Sequence, residues 1–296
     1  MATENIMFER VALIGIGLIN SSIARVMKRD GLASEIVIYS RRQSTLEKAM
    51  ELGLAERAET DAAAAVKDAD LVILGVPVGA NAALAEAIGP SLMPGAIVTD
   101  VGSVKAAVIR DVAPHLPDGV HLVPGHPVAG TEHSGPEAGF ADVFQDHWCI
   151  LTPTEGCDPD AVEKIAEFWR RAGSTIDIMD AAHHDKVLAI TSHLPQLIAY
   201  NIVGTVLDIE HVTKREVVKY AAGGFRDFTR IAASDPEMWR DVFLNNQEAV
   251  LEMLGRFTED LAVLQRAIRW GDDKALEDLF TRTRGIRRDL IDAKQI

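Results

Sequence analysis

Up to about Met179 the chain alternates short apolar runs with amphipathic segments. The runs occupy residues 11–16, 36–39, 71–76, 97–101, 121–123, 149–151 and 175–179; most are rich in Val and Ile and bounded by Gly, Pro or Asp. Apolar runs this short and continuous predict buried parallel strands. Residues 22–29, 44–52, 80–88, 105–112 and 161–172 lie between them with helical periodicity. Strand-helix alternation repeated this often predicts an α/β fold with a doubly wound parallel sheet.

Beyond Asp180 the strand signal stops. Residues 181–207 are mostly apolar with Pro195 inside them. That proline removes the hydrogen bond to the Thr191 carbonyl, so the helix is expected to kink there. A helical stretch over 214–222 follows, then Gly223-Gly224 and another helical stretch. Ser234-Asp235-Pro236-Glu237 is a start signal, with a capping oxygen and a proline in the first turn. From there a helix is expected to run to Gly271. Within it Val250, Leu254, Phe257, Leu261, Leu264 and Ile268 form a heptad-like stripe that needs a long partner helix, within this chain or in a second copy. The expected domains are 1–180, nucleotide-type α/β, and 181–296, all-helical.

Composition narrows the function classes. At 296 residues and 48% hydrophobic, the chain can bury a full core without disulfide or metal staples. Residues 1–180 carry 14 basic and 26 acidic side chains, net −12, and the remainder is near −2. Neither part offers the basic face that phosphate backbones require, so nucleic acid is excluded as a partner. The acidic start lacks the basic and apolar regions of a signal peptide. The apolar run 71–85 is too short for a bilayer and is broken by Gly75, Pro77 and Gly79. No membrane partner and a reduced, cytoplasmic setting are expected, with Cys149 and Cys157 as the two cysteines.

The chemistry clusters at strand ends. Gly15-Ile16-Gly17-Leu18-Ile19-Asn20 is a glycine-loop fingerprint with Asn in the third glycine position, placed between the first strand and a helix. Gly15 permits the tight turn and Gly17 lets backbone approach a pyrophosphate at the helix N-terminus. Asn20 implies a slightly wider fit, its side chain expected to cap the helix. The second strand ends at Tyr39-Ser40-Arg41-Arg42, where an NAD site usually places an acid. Ser40, Arg41 and Arg42 would instead hold a 2′-phosphate, favouring NADP over NAD. The next strand ends are Gly75-Val76-Pro77 and Asp100-Val101-Gly102-Ser103-Val104-Lys105. Ser103 reads as either a site residue or a helix N-cap.

Gly125-His126-Pro127 sets a histidine as a candidate general base. His183-His184-Asp185 invites a metal reading, but adjacent histidines on a helix point to different faces and no third ligand is suitably spaced, so no metal is expected. His193 stands at the proline kink, and Arg226 and Arg230 follow a glycine hinge, where a guanidinium fork suits a carboxylate.

Taken together, GIGLIN, DVGSVK, GHPVAGTEHSG, ILTPT, SHLP and GGFRDFTRIAASDPEMW resemble the prephenate/arogenate dehydrogenase family, in family order from about Val11 to Trp270. The resemblance implies oxidative decarboxylation, with hydride passing to NAD(P)+. By it His126 would accept the 4-hydroxyl proton. Ser103 would bridge that hydroxyl or His126 and the nicotinamide, and Arg230 would bind a substrate carboxylate beside His193. Thr131, Glu132, Asp227 and Trp239 would shape or close the pocket, and Gly15, Gly17, Leu18, Ile19, Asn20, Ser40, Arg41, Arg42, Val76, Pro77 and Ser103 would hold the cofactor. Asn20 and Ser21 replace glycines common in the family's loop. With no mutase segment ahead and 26 residues after Trp270, no regulatory domain is expected, and any tyrosine feedback would act at the active site. A homodimer through the helical domain is also expected. Two other readings stand beside this one. A β-hydroxyacid dehydrogenase of the wider superfamily would rely on Lys186, and a non-catalytic NADP-sensing module would have no use for His126, Ser103 and Arg230 together.

Overall fold

The computed structural model describes residues 6–207 and 219–292. Its N-terminal sheet is six-stranded and parallel, in the order β3-β2-β1-β4-β5-β6. These strands are β1 (Phe8–Ile14), β2 (Ala33–Tyr39), β3 (Arg57–Glu59), β4 (Leu71–Leu74), β5 (Ile97–Asp100) and β6 (His121–Leu122). Helices α1 (Leu18–Asp30), α2 (Gln43–Glu51), α3 (Ala62–Val66), α4 (Asn81–Ile88) and α5 (Lys105–Val112) alternate with them. Residue parity decides which helices each strand residue meets. Val11, Leu13, Ile36, Ile38 and Ile73 pack with Ile23, Met27 and Leu46 on one face. Ala12, Ile14, Val37, Val72 and Leu74 pack with Ala65, Leu84, Ile88 and Val108 on the other. Both faces are covered, so the strands read as unbroken apolar runs.

Two elements that the pattern left blank are present: β3, three residues long, and α3, an alanine run opened by an Asp61 cap onto the Ala63 N–H. The last strands depart from the expected single sheet. β7 (Gly125–Pro127), β8 (Trp148–Leu151) and β9 (Thr175–Ile178) form a separate three-stranded sheet, with β7 antiparallel to β8 and β9 parallel to it. Nor is β9 buried: it is the edge strand of this small sheet, with Ile178 54% exposed, while α6 (Pro159–Arg171) turns Ile165, Phe168 and Trp169 to the main core. Cys149 and Cys157 are both free.

After Asp180, which caps α7 (Ala181–Leu188) through the His183 N–H, the chain is helical. The expected disturbance ahead of Pro195 takes the form of a π-helical turn, Ala189–His193, leading into α8 (Leu194–Leu207). A longer uncharged run than 71–85 spans 187–207. Ala181–Val206 is long and apolar enough to cross a membrane by length and composition alone. It is nevertheless built into the protein: His184, His193 and Gln196 are buried, Gln196 donates to the Ile231 carbonyl and Tyr200 to that of Ser234. Of the expected helix 214–222, residues 214–218 lie outside the described residues. The helix expected from Pro236 to Gly271 is broken at Asn246 into Pro236–Asn245 and Gln247–Trp270; Asp235 is its cap, accepting from Glu237 and Met238 N–H.

By packing, the chain divides into Met1–Gln247 and Glu248–Ile296. Among the described residues the second unit is helical: the helix Gln247–Trp270, whose first residue closes the first unit, stops at Gly271 before Asp273–Asp292. Along its stripe Val250 is buried, whereas Leu261 and Ile268 are exposed.

Asn20 does not cap α1; the cap is Gly17, with no side-chain bond. The Asn20 side chain is buried and donates to the carbonyls of Gly15, at 2.8 Å, and Ile73, at 3.3 Å, tying β1 to β4. A Cβ on Gly75 would lie 2.4 Å from Asn20 Nδ2, and one on Gly139 2.1 Å from Ser21 Oγ. The space that close packing needs is thus left by glycines on the opposing backbone. Gly75→Ala is therefore expected to cost about 1–3 kcal/mol. Adding Asn20→Gly should recover part of that loss. Simple additivity of the two changes in chemical denaturation would refute the steric pairing.

Candidate active site

The carboxyl ends of β1, β2, β4 and β5 form one edge. Gly15 N–H donates to the Tyr39 carbonyl, Gly75 N–H to Ile14 and Val101 N–H to Leu74. Helices cross to opposite faces on either side of β1, so this edge is the sheet's switch point, where doubly wound folds bind ligands. Gly15 has φ +87°, and a Cβ there would meet the Gly75 carbonyl at 2.7 Å. Gly17 has open space where its Cβ would stand. The first turn of α1, running through Leu18, Ile19 and Asn20, has no acidic residue, so its N–H groups suit a pyrophosphate. Ser40 Oγ accepts from Arg42 N–H at 3.3 Å. Arg41 and Arg42 are exposed and make no ion pair among the described residues. Val76 lies beside Gly15, followed by Pro77 at the same edge.

Ser103 is not the N-cap of α5. That position is Val104, and the capping oxygens come from Asp185 in α7: Oδ1 accepts from Lys105 N–H at 2.7 Å and Oδ2 from Ala106 N–H at 2.9 Å. This leaves Ser103, half-buried, in the loop after β5. Asp100 gathers that loop and β7, accepting from Gly102 N–H at 2.7 Å and Gly125 N–H at 3.1 Å. The buried Lys105 ammonium donates to the Asp100 carboxylate and to the Gly125 carbonyl. Burial pushes the Asp100 carboxyl up and the Lys105 ammonium down; their mutual contact opposes both shifts.

His126 therefore lies within a strand rather than a loop, and is 7% exposed. Its pKa is pushed well below the ordinary value, first by burial and then by the charges of His184, Lys105 and His193. At neutral pH the ring is uncharged and can accept a proton. His126 Nδ1 lies 2.9 Å from His184 Nε2, and His184 Nδ1 lies 2.8 Å from Asp185 Oδ1. Of the two adjacent histidines, His184 is buried and His183 exposed.

His193 is also buried, and burial lowers its pKa to about 4. Asn246 Nδ2 donates to the Asp185 carbonyl at 2.8 Å and lies 3.1 Å from His193 Nδ1. An amide nitrogen only donates, so His193 Nδ1 accepts and its proton sits on Nε2. That Nε2, and the Nε1 of neighbouring Trp239, are buried without a hydrogen-bond partner among the described residues. Arg230 is 59% exposed and pairs with Glu132 at 2.8 Å. The Glu132 backbone N–H, then Arg230, hold the Glu132 carboxyl below its usual range. Thr131 Oγ1 accepts from His133 N–H in the same loop, whereas Asp227 is exposed on the Gly223–Thr229 helix. Asp100, Lys105, His184, Asp185 and Asn246 were not singled out as site residues from sequence. The adjacent His184-Asp185 pair was the available signal.

Residues 23–178 match the family described as prephenate dehydrogenase, nucleotide-binding domain, and residues 180–282 its dimerization domain. The chain is 42% identical over 280 residues to a cyclohexadienyl dehydrogenase of Zymomonas mobilis, covering 95% of each. It is 32% identical to a prephenate dehydrogenase of Bacillus subtilis, over 93% of this chain and 74% of that one. The structure aligns with prephenate dehydrogenase of Aquifex aeolicus, solved with hydroxyphenyl propionate and NAD+, at TM-score 0.86 and 33% identity, covering 96% and 98% of the chains. For arogenate dehydrogenase of Synechocystis the TM-score is 0.78 at 30% identity, covering 95% and 99%.

The chain belongs to the prephenate dehydrogenase family. It is an oxidoreductase with an NAD(P)-type nucleotide-binding domain. Lys186, on which the β-hydroxyacid alternative rests, is exposed on α7.

Between pH about 6.5 and about 4 the unfolded chain binds a proton at His193 that the folded chain does not. The stability held by the neutral ring is full above that window and is lost as pH falls through it, by up to about 1.4 kcal/mol per pH unit. His193→Gln is expected to flatten the stability-pH slope over this range in chemical denaturation. An unchanged slope would assign it to other groups.

Proposed function

We propose that the chain oxidatively decarboxylates prephenate, arogenate or both, in tyrosine biosynthesis, with NADP favoured over NAD. The observation that carries the reading is His126: a buried, neutral imidazole on the strand whose first residue, Gly125, is bonded to Asp100 and Lys105 beside the Ser103 loop. A nicotinamide bound at this edge supplies the hydride acceptor. His126 takes the ring hydroxyl proton through Nε2 as that carbon is oxidised. Ser103 orients the hydroxyl. The unpartnered His193 Nε2–H and Arg230 bind substrate oxygen, a substrate carboxylate competing with Glu132 for the guanidinium. Thr131, Glu132, Asp227 and Trp239 shape the pocket. Loss of CO₂ and aromatisation of the ring drive the reaction, so no metal is invoked.

The NADP preference rests on Arg41 and Arg42, exposed cations that make no ion pair among the described residues, on a domain of net −12. In this reading 1–180 binds the cofactor and 181–296 binds substrate and joins two copies into a cytoplasmic homodimer. Exposed Leu251, Leu261, Ile268, Trp270 and Phe280 support the dimer.

Formation of reduced nicotinamide is to be followed with prephenate and with arogenate, each against NAD+ and NADP+. Turnover in at least one pairing is expected, and four silent pairings from folded protein would overturn the reading. His126→Asn should lower kcat by about a hundredfold or more. Near-full activity would remove His126 from the chemistry. Replacing Arg41 and Arg42 with Ala should raise KM for NADP at least about tenfold and leave NAD within about twofold. Equal effects on both would show that the pair does not read the 2′-phosphate.

A further inference from the structure

We infer that His184 and Asp185 are positioning residues that set the tautomer of His126 and leave its Nε2 as a bare lone pair. The inference rests on the reading of His126 as the base and adds the groups that make it one.

The argument follows the protons. Asp185 Oδ1 already accepts the Lys105 N–H, and a carboxylate only accepts. The His184 nitrogen facing it at 2.8 Å must therefore carry a proton, so neutral His184 is the Nδ1–H tautomer. Its Nε2 is then an acceptor. His126 Nδ1, 2.9 Å away, must donate, and the proton of a neutral His126 is consumed there. Nε2 of His126 remains to take the substrate proton. Without this chain either ring nitrogen could carry the proton, and one of the two choices blocks the base.

The same groups hold the geometry. Asp185 is anchored by the Lys105 and Ala106 N–H groups at the start of α5, and Asn246 secures the Asp185 carbonyl. The two imidazoles meet edge to face, with centroids 5.1 Å apart and planes inclined at 69°. When His126 becomes an imidazolium, its Nδ1–H points into an acceptor backed by a carboxylate, which steadies the charge without solvent.

The first test needs no turnover. Nitrogen-15 NMR of the imidazoles in wild-type protein should show His126 and His184 each protonated on Nδ1 and bare on Nε2. A His126 proton on Nε2 overturns the inference whatever the substrate proves to be. The second test uses turnover of wild-type enzyme. His184→Leu removes the acceptor and should lower kcat by about a hundredfold. Substrate KM should stay within about threefold, and the His126 proton should redistribute toward Nε2. His184→Gln, whose amide can accept from His126 and donate to Asp185, should recover at least about tenfold of the lost kcat. Should His184→Leu fail to fold, the Gln variant and the wild-type spectrum decide. A folded His184→Leu enzyme with kcat within about twofold of wild type overturns the inference while leaving His126 as the base. Wild-type protein silent on every substrate pairing, but with the expected tautomers, overturns the proposed function instead.

Discussion

Asp185 is a nearly buried carboxylate whose stability depends on the donors around it, and much of the site depends on how they are arranged. It takes two N–H groups at the start of α5 and one from His184, so a single side chain joins the α5 N-terminus to α7 and, through the His184 ring, to His126. The α5 N-terminus favours the negative charge, and the charge in turn dictates where the protons of two imidazoles sit. The neighbouring Asp100–Lys105 pair does the equivalent work for the loop holding Ser103, gathering Gly102 and Gly125 onto one carboxylate.

Through these two buried acids the proposed site draws on strands from both sheets. β5 ends the parallel sheet's contribution, and β7 belongs to the three-stranded one. Lys105 bridges them through the Gly125 carbonyl. Burial that keeps His126 neutral also makes an unpaired Lys105 or Asp100 costly, so the electrostatic framework and the basicity of His126 arise from the same exclusion of water.

The cofactor edge shows a different economy. In the glycine-loop fingerprint the third glycine serves close helix packing, but here Asn20 and Ser21 are buried at the start of α1, and Gly75 and Gly139 on the facing backbone leave the space. Asn20 then contributes a hydrogen bond between strands that glycine could not make. A fingerprint read along one segment cannot register such an exchange, because the compensating residue stands far away in the chain.

The chain by itself determined the parallel sheet, the glycine loop, the all-helical end and the cluster of polar residues at strand ends, because buried strands and helices impose short-range periodicities that survive in one dimension. His126, Ser103, His193 and Arg230 could be put forward as candidates because they stand in motifs with local turn chemistry. Tertiary structure alone decided the split into two sheets, the break at Asn246, the role of Asn20 and the capping of α5 by Asp185 rather than Ser103. The last of these joins residues 80 positions apart. Hydrogen bonds and ion pairs between distant segments leave no period in the sequence, and two of the three contacts that set the tautomer of the central histidine are of that kind, only His184–Asp185 being local.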